Sequence, residues 1–307
     1  MKDFISVKDL NKNEIDEILS LAAEIKKNPL NFSTALKGKS LALIFEKSSN
    51  RTYVSFQVGM FELGGNSIYL GPEHIKLGQR ESVHDVAKTL SRYAGAIVLR
   101  TFSHDTVLEM ARFASIPVIN GLSDLSHPCQ AMSDIFTLKE KFNTFNDKTL
   151  AYIGDGNNVC HSLLYACAKV GLNFKIATPK KYEPAPEIVK AAKRITEESG
   201  AKISLFNKPQ EAAVDADVIY TDVWASMGQE KEAATRKKYF KAFQINKKLV
   251  SLAKKDCLIM HCLPAHRGQE IAYEVIDSKN SIVFDQAENR LHVQKAILIK
   301  LLKGGEG

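Results

Sequence analysis

The sequence predicts an α/β protein of two domains, each a mostly parallel β-sheet flanked by helices. Its length of 307 residues corresponds to about two domains at roughly 150 residues each. Short apolar runs alternate with longer amphipathic stretches, which is typical of parallel strands joined by helices. A polar, turn-rich segment at 143–148 follows a predicted helix and precedes a predicted strand. It predicts a boundary between the domains 1–143 and 144–307.

The elements follow from the spacing of apolar residues. A first helix is predicted at 13–27, where apolar residues recur at helical spacing until Pro29. The predicted strands are apolar on both faces, as buried parallel strands are. These strands are 40–46, 96–100, 116–119, 150–154, 174–178, 217–221, 257–261 and 282–285. The further predicted helices are 51–63, 82–93, 185–198, 246–253 and a last one at about 286–303.

Composition excludes several classes of protein. Hydrophobic residues make up 45% and charged residues 25%, which does not fit a disordered or collagen-like chain. No apolar run approaches the roughly 20 residues of a membrane span. The N-terminal residues lack a secretory apolar stretch, so we expect no membrane association and a cytoplasmic location. The five cysteines fit neither a disulfide framework nor a zinc site, so no metal is expected.

The net charge of +7 allows either a solvated lysine-rich surface or a preference for anionic ligands. Nucleic acid binding is not expected, because the lysines are scattered and not interleaved with aromatic residues. Arginine is scarce, with nine among the 42 basic residues. Because arginine recognises phosphate and carboxylate with two donors at once, the positions of these few side chains are informative.

Two of these arginines lie where predicted strands end. Ser49, Asn50, Arg51 and Thr52 stand between a strand and a helix, where free backbone N–H groups bind anions. This segment is either a phosphate cradle or an ordinary capped helix. Arg100 ends another strand, where it could meet an anionic ligand or form a salt bridge.

Two further segments offer polar groups at helix starts. His127 and Gln130 flank a proline that suits a first helical turn. They could polarise a carbonyl and hold an amide, or be a plain helix start. The Gly154-Asp155-Gly156 turn lacks the third glycine of a dinucleotide fingerprint. Asn158, just after it, could offer an amide to a polar ligand.

The last candidates lie at the ends of later elements. Asp222 follows a predicted strand, where it could pair with an ammonium group or cap a turn. Cys262 and Leu263 follow another strand and precede a proline, so their carbonyl groups could face a pocket, although a buried inert cysteine is the alternative. Arg290 stands at the start of the last helix.

Together these segments resemble the aspartate/ornithine carbamoyltransferase family, and its ornithine branch in particular. The resemblance covers nearly the whole chain in order and spacing. The motifs that carry it are Ser49-Asn50-Arg51-Thr52, His127-Pro128-Cys129-Gln130, Asp222-Val223-Trp224-Ala225-Ser226-Met227-Gly228 and His261-Cys262-Leu263-Pro264. It implies a carbamoyl-phosphate domain, an ornithine domain, and a last helix that packs back on the first domain.

The resemblance also implies residue roles. The phosphate is held by Ser49, Asn50, Arg51 and Thr52 with Arg100. Thr52, Arg100 and His127 polarise the carbonyl oxygen. Gln130 and the carbonyl groups near Cys262 and Leu263 hold the carbamoyl amide, and Arg290 closes the site. Ornithine is bound by Asn158, Asp222, Ser226 and Met227, with Cys262 beside its δ-amine. The resemblance thus implies that the catalytic residues are Arg51, Arg100, His127 and Cys262.

The family further implies a homotrimer with sites at subunit interfaces, into which a neighbour's loop reaches. The matching loop here contains Lys76, where a glutamine is common, and Tyr53 stands where the family usually has an arginine. Lysine is a point charge that cannot accept a hydrogen bond, so the neighbour's contact with phosphate could differ.

The activity implied is transfer of the carbamoyl group of carbamoyl phosphate to the δ-amine of L-ornithine, without a cofactor. Transfer to aspartate, putrescine, lysine or acetylornithine is the alternative within the family. A dinucleotide-dependent oxidoreductase and a nucleic-acid-binding protein are the alternatives from other classes. The incomplete glycine motif and the scattered lysines argue against these two.

Overall fold

A computed structural model describes residues 1–225 and 230–303 of the chain. The chain divides into two compact units. The first comprises Met1–Phe136 and the described part of Glu288–Gly307, and the second comprises Thr137–Ala287. Among the described residues, no helix is long and apolar enough to span a membrane.

The first unit contains a parallel sheet in the order β2-β1-β3-β4. Its strands are β1 (Ser40–Phe45), β2 (Asn66–Leu70), β3 (Ala96–Arg100) and β4 (Val118–Leu122). In the register of β1 and β3, Phe45 lies opposite Arg100. The carboxyl ends of the two central strands therefore lie side by side, and the residues after them share one edge of the sheet.

Helices follow the strands of this unit, as expected for parallel strands that need crossover connections. They are α1 (Lys12–Lys27), α2 (Asn50–Glu62), α3 (Val83–Tyr93), α4 (His104–Phe113) and the first part of α5 (Pro128–Lys141), which passes into the second unit after Phe136. One face of the sheet packs its β1 and β3 side chains against α3 and α4, including Val86 and Met110. The rigid core of this unit thus fixes the strand ends.

The second unit contains a parallel sheet in the order β7-β6-β5-β8-β9. Its strands are β5 (Thr149–Ile153), β6 (Asn173–Ala177), β7 (Ile203–Phe206), β8 (Val218–Thr221) and β9 (Leu258–His261). Thr221 lies opposite His261 in the register of β8 and β9. The residues that follow these two strands, Asp222 and Cys262, are therefore neighbours.

The second unit is covered by helices of very different lengths. They are α6 (Asn158–Val170), α7 (Pro186–Ser199), α8 (Pro209–Ala213), α9 (Ala233–Phe240), α10 (Lys247–Val250) and α11 (Tyr273–Ile276). The last helix of the chain, α12 (Val283–Lys303), starts in this unit. From Glu288 onward it belongs to the first unit, where Lys295 pairs with Glu62 at 2.6 Å. The predicted fold class, including the return of this helix, is confirmed.

Three details of the strand prediction are wrong. The run at 282–285 is not a strand, because α12 begins within it at Val283. Periodicity cannot separate short buried strands from helices. Strand β4 begins at Val118 and not at residue 116. Strands β2 and β7 were not predicted. Both are edge strands with partly exposed side chains, so neither has the continuous apolar run of a buried strand.

Candidate active site

The start of α2 presents backbone and side-chain donors that suit an anion. Ser49 is the N-cap, with extended backbone, and its hydroxyl accepts a hydrogen bond from the backbone N–H of Thr52 at 3.2 Å. The other N–H groups of this first turn and the helix dipole favour a negative charge at the same place. Asn50 and Arg51 stand in this turn, just beyond the end of β1.

Arg100 lies at the carboxyl end of β3 and is buried, with 6% of its surface exposed. Its pKa is lowered to about 10, chiefly by burial and then by the positive charges of Arg290 and Arg51. Among the described residues, its buried Nε has no hydrogen-bond partner. A buried cation near two others and with an unused donor is suited to bind an anion.

Arg290 connects three parts of the first unit. It lies on α12 and is 1% exposed. One of its terminal nitrogens donates to Oε1 of Gln130 at 2.7 Å, and the other donates to Oγ1 of Thr52 at 3.0 Å. The last helix thereby links the first turn of α2 to the first turn of α5.

His127 precedes α5 and is buried close to Arg51, Arg100 and Arg290, which form the arginine cluster. Burial, followed by the charges of Arg290, Arg100 and Arg51, holds the pKa of its imidazole well below the usual range. The ring is therefore neutral at physiological pH, and a neutral imidazole can still donate one hydrogen bond. One turn into α5, Nε2 of Gln130 donates to Oδ1 of Asp134 at 2.8 Å.

Lys76 lies on an exposed turn of the first unit. Its carbonyl oxygen accepts hydrogen bonds from the backbone N–H groups of Gln79 and Arg80 at 2.9 and 2.8 Å. The turn leaves its ammonium group accessible to solvent. Tyr53, the other departure from the family pattern, packs its ring against that of Tyr69 at 4.6 Å between centroids.

The second unit gathers its polar side chains around Asp222, which is buried directly after β8. Its Oδ1 accepts hydrogen bonds from the thiol of Cys262 at 2.9 Å and from the backbone N–H of Val223 at 2.8 Å. Its Oδ2 accepts from Nδ2 of Asn157 at 2.7 Å. The thiol and the carboxylate thus form a pair at the ends of adjacent strands.

His261 supports the segment that carries Cys262 and Leu263. Its Nε2 is 3.1 Å from Oε1 of the buried Glu270, and its Nδ1 accepts from the backbone N–H of Leu263 at 2.8 Å. The ring is therefore the tautomer with its proton on Nε2. Leu263 has a left-handed conformation at φ 55° and a cis peptide bond to Pro264.

Asp222, His261 and Cys262 each offer an atom within 4.8 Å of the others, which is a spacing that metal ligands can have. However, both ring nitrogens of His261 already take part in hydrogen bonds. A metal would have to displace Leu263 N–H or Glu270 from the ring. These residues therefore do not fit a resident metal.

The sequence missed two residues that organise the second unit. Asn157 caps α6 and binds Asp222, whereas the sequence pointed to Asn158, the half-buried first residue of that helix. Arg236 is buried and donates to Asp155 at 2.8 Å and to the carbonyl oxygen of Trp224 at 3.0 Å. Asn157 could have been found as an asparagine directly before a helix. No local sequence pattern indicates the contacts of Arg236.

The structure thus brings Thr52, Arg100, His127, Gln130 and Arg290 together in the first unit, and Asp222 and Cys262 together in the second. Two candidates, Ser226 and Met227, lie outside the described residues.

Comparison with known families accounts for nearly the whole chain. The carbamoyl-P binding domain of aspartate/ornithine carbamoyltransferases matches residues 2–140, and the Asp/Orn binding domain matches residues 146–301. The chain belongs to the aspartate/ornithine carbamoyltransferase family.

Individual relatives lie in the ornithine branch. The chain is 52% identical over 303 residues to an ornithine carbamoyltransferase of Anoxybacillus flavithermus, with 98% of this chain and 96% of the relative covered. It is also 52% identical over 304 residues to one of Archaeoglobus fulgidus, with 98% of each covered. The solved ornithine carbamoyltransferase of Pyrococcus furiosus has a TM-score of 0.96 at 49% identity, covering 100% of this chain and 98% of that one.

Proposed function

We propose that this protein transfers the carbamoyl group of carbamoyl phosphate to the δ-amine of L-ornithine, giving L-citrulline and phosphate. The observation that carries this proposal is the arginine cluster, in which the buried Arg100 and Arg290 lie close to Arg51 at the start of α2, in a chain that matches both family domains. Relatives at about 50% identity that are named ornithine carbamoyltransferase support the same reaction.

In this proposal the phosphate group is bound by the first turn of α2. Ser49, Asn50, Arg51 and Thr52 supply backbone and side-chain donors, and Arg100 supplies a buried positive charge. These groups favour the dianion that leaves during the reaction. Lys76 of a neighbouring subunit is proposed to add a further charge.

The carbonyl oxygen of the carbamoyl group receives hydrogen bonds from Thr52, Arg100 and His127. When the amine attacks, this oxygen gains negative charge, and preorganised donors lower the barrier most at that moment. The neutral state of His127 suits it to donate one hydrogen bond without competing for the phosphate as a cation.

The carbamoyl amide is proposed to bind Gln130 and the main-chain carbonyl oxygens of Cys262 and Leu263. Arg290 orients Gln130 by donating to its Oε1 at 2.7 Å. The amide N–H groups of carbamoyl phosphate then distinguish it from acyl phosphates, which lack them.

Asn158, Asp222, Ser226 and Met227 are proposed to bind ornithine, with Cys262 beside its δ-nitrogen. An alkyl ammonium group has an ordinary pKa of about 10.4, so it must lose a proton before it can attack. The nitrogen lone pair then forms the new C–N bond, and the C–O bond to phosphate breaks with its electrons on phosphate. We assign the proton transfer to the Cys262–Asp222 pair: the sulfur takes the amine proton as the thiol proton passes to the Asp222 carboxylate. The departing phosphate takes up a proton from solvent and leaves as the dianion.

Another amine acceptor is the second candidate within this family. The solved acetylornithine transcarbamylase that was complexed with acetylcitrulline has a TM-score of 0.89 at 29% identity. Fold similarity alone therefore does not distinguish ornithine from other amine acceptors. The higher identity to ornithine enzymes favours ornithine over acetylornithine, and aspartate, putrescine and lysine are compared directly in the assay below.

We further propose that the protein is a homotrimer and works in the cytoplasm. The trimer is an inference from the family. The five cysteines are all free thiols, which suits a reducing compartment. Sedimentation of the purified protein would test the trimer, with a mass of about 34 kDa contradicting it.

A panel assay tests the function. Phosphate release from carbamoyl phosphate is measured with ornithine, acetylornithine, aspartate, putrescine and lysine, and citrulline is detected in the ornithine sample. We expect release with ornithine and an equal amount of citrulline. Release with a different amine would overturn the assigned acceptor, and no release with any amine would overturn the proposed reaction.

A further inference from the structure

We propose that Asn157 is a positioning residue for the amine acceptor site, because its side-chain nitrogen fixes the carboxylate that pairs with the Cys262 thiol. This inference rests on the proposed function and adds a residue to it.

The two ends of the Asn157 amide have different partners. Oδ1 accepts hydrogen bonds from the backbone N–H groups of Val159 at 3.0 Å and Cys160 at 3.2 Å, and from the Tyr152 hydroxyl at 3.2 Å. Nδ2 donates to Oδ2 of Asp222 at 2.7 Å. The oxygen thus faces three donors and the nitrogen faces a carboxylate, so the orientation of the amide is unambiguous.

The Nδ2 of Asn157 determines the orientation of the Asp222 carboxylate. Val223 N–H and the Cys262 thiol both donate to Oδ1, and Asn157 holds Oδ2. With both oxygens bound, the carboxylate cannot rotate without losing a hydrogen bond. Asp222 is 6% exposed, and water therefore replaces a lost partner poorly. Asn157 consequently keeps Oδ1 directed at the thiol.

The turn that carries Asn157 is itself held firmly. Gly156 N–H donates to the carbonyl oxygen of Tyr182 at 2.9 Å. Asp155 binds Arg236, which also donates to the carbonyl oxygen of Trp224. Asn157 and Arg236 therefore attach the same turn to both ends of the short segment 222–224.

The two roles of Asn157 can be separated by substitution. Serine and aspartate cap helices about as well as asparagine, whereas alanine does not. Asn157→Ser retains a capping oxygen but is too short to reach Asp222 with a donor. Asn157→Asp retains the cap and sets a second carboxylate against Asp222. Asn157→Ala loses both functions.

We expect kcat/KM for ornithine to fall about tenfold to a hundredfold in Asn157→Ser, which is the range for a lost hydrogen bond to a charged group. In Asn157→Asp, kcat/KM for ornithine should fall further, because the carboxylate at position 157 repels that of Asp222. The KM for carbamoyl phosphate should stay within twofold in both. All three variants should lower the melting temperature, because the buried Asp222 loses a hydrogen-bond donor in each. Asn157→Ala should lose about 2–4 °C more than Asn157→Ser, because it also loses the helix cap.

The matched control is Asn246→Ser. Asn246 caps α10 in the same way, by accepting from Leu249 N–H at 3.0 Å, and its substitution should leave both kinetic parameters unchanged. If Asn157→Ser and Asn157→Asp retain the wild-type kcat/KM for ornithine, Asn157 only caps the helix and the inference is wrong. If the wild-type protein makes no citrulline from ornithine, the proposed function itself has failed.

Discussion

Arg100 and Arg290 are held inside the first unit, where a charged side chain is costly unless it is paired. Arg290 is stabilised by hydrogen bonds to Gln130 and Thr52. The pKa of Arg100 falls to about 10 because burial and two neighbouring cations disfavour its charge. Burying Arg100 near two other cations lowers the stability of the fold. A bound phosphate would offset this repulsion, so the same arrangement increases the affinity for an anion.

The same positive charges determine the protonation of His127. Since burial and three arginines lower its pKa, the imidazole is neutral above about pH 6.5. His127→Gln should therefore reduce kcat by about a hundredfold, the range for loss of one oxyanion donor. The shape of the pH–rate profile between pH 6.5 and 8 should not change. Steady-state kinetics across this range would measure both, and loss of an ionisation in the variant would contradict a neutral ring.

Substitution of Cys262 should change the kinetics with ornithine, the acceptor, and leave the binding of carbamoyl phosphate, the donor, unchanged. Cys262→Ala removes the thiol that donates to Asp222 at 2.9 Å. We expect kcat/KM for ornithine to fall about a hundredfold or more, as for loss of a general acid–base group. The KM for carbamoyl phosphate should remain within twofold. Initial rates with each substrate varied in turn would test this, and equal effects on both substrates would contradict the assignment.

At the scale of elements, most candidate side chains follow a parallel strand or begin a helix. Ser49 follows β1, Arg100 ends β3, Asp222 follows β8 and Cys262 follows β9. Register then brings the ends of neighbouring strands together. The apolar runs predict all four of these strands, and ligand-binding residues are expected where parallel strands end.

The missed elements and residues have different physical causes. Strands β2 and β7 lie at sheet edges, where one side of the strand is solvated and the apolar run is broken. Arg236 lies 81 residues from Asp155 in sequence, so no local pattern could predict their contact. Asn157 and Asn158 are adjacent, and only the structure shows which of them caps the helix and binds Asp222.

The turn between β5 and α6 should tolerate no side chain at Gly156. A Cβ there would lie 2.2 Å from the nitrogen of Pro184 and 2.4 Å from the carbonyl carbon of Glu183. Because these are backbone atoms, they cannot move aside cheaply. Gly156→Ala should lower the free energy of unfolding by about 3 kcal/mol. Urea denaturation would measure the loss, and a change below about 0.5 kcal/mol would contradict this packing.

At the scale of the whole molecule, stability should depend on pH through Asp155. Burial raises its pKa to about 6 despite the opposing charge of Arg236. Between about pH 4 and 6 the folded protein therefore holds a proton that the unfolded chain has released. The stability contributed by Asp155 is complete below about pH 4 and is lost as the pH rises through 6.

Comparison with Asp155→Asn isolates this effect. The difference in unfolding free energy, wild type minus variant, should decrease by about 1–3 kcal/mol from pH 4 to 7. Asp215→Asn is the control, since Asp215 is exposed and its left-handed backbone also suits asparagine. Urea denaturation at several pH values would give both curves, and parallel behaviour of the two variants would refute the shift.

The whole chain is organised as two units with different chemistry. The first unit contains the buried arginines Arg100 and Arg290. The second contains the Cys262 thiol, the Asp222 carboxylate and the Asn157 amide, which form one hydrogen-bonded group. The last helix belongs to the first unit from Glu288 onward and contributes Arg290 to the cluster. This distribution agrees with a carbamoyl-phosphate domain followed by an acceptor domain, the order in which the family models match.

The most direct test of the account is citrulline formation by the wild type and by Arg100→Met under the same conditions. Removing this cation relieves its repulsion with Arg290 and Arg51, so the variant should melt at or above the wild-type temperature. We predict that the wild type forms citrulline and phosphate in equal amounts from ornithine and carbamoyl phosphate. Arg100→Met should lose about a thousandfold in kcat/KM for carbamoyl phosphate. A folded variant that keeps its activity within tenfold would contradict the central claim that the buried arginine cluster is the site of carbamoyl transfer.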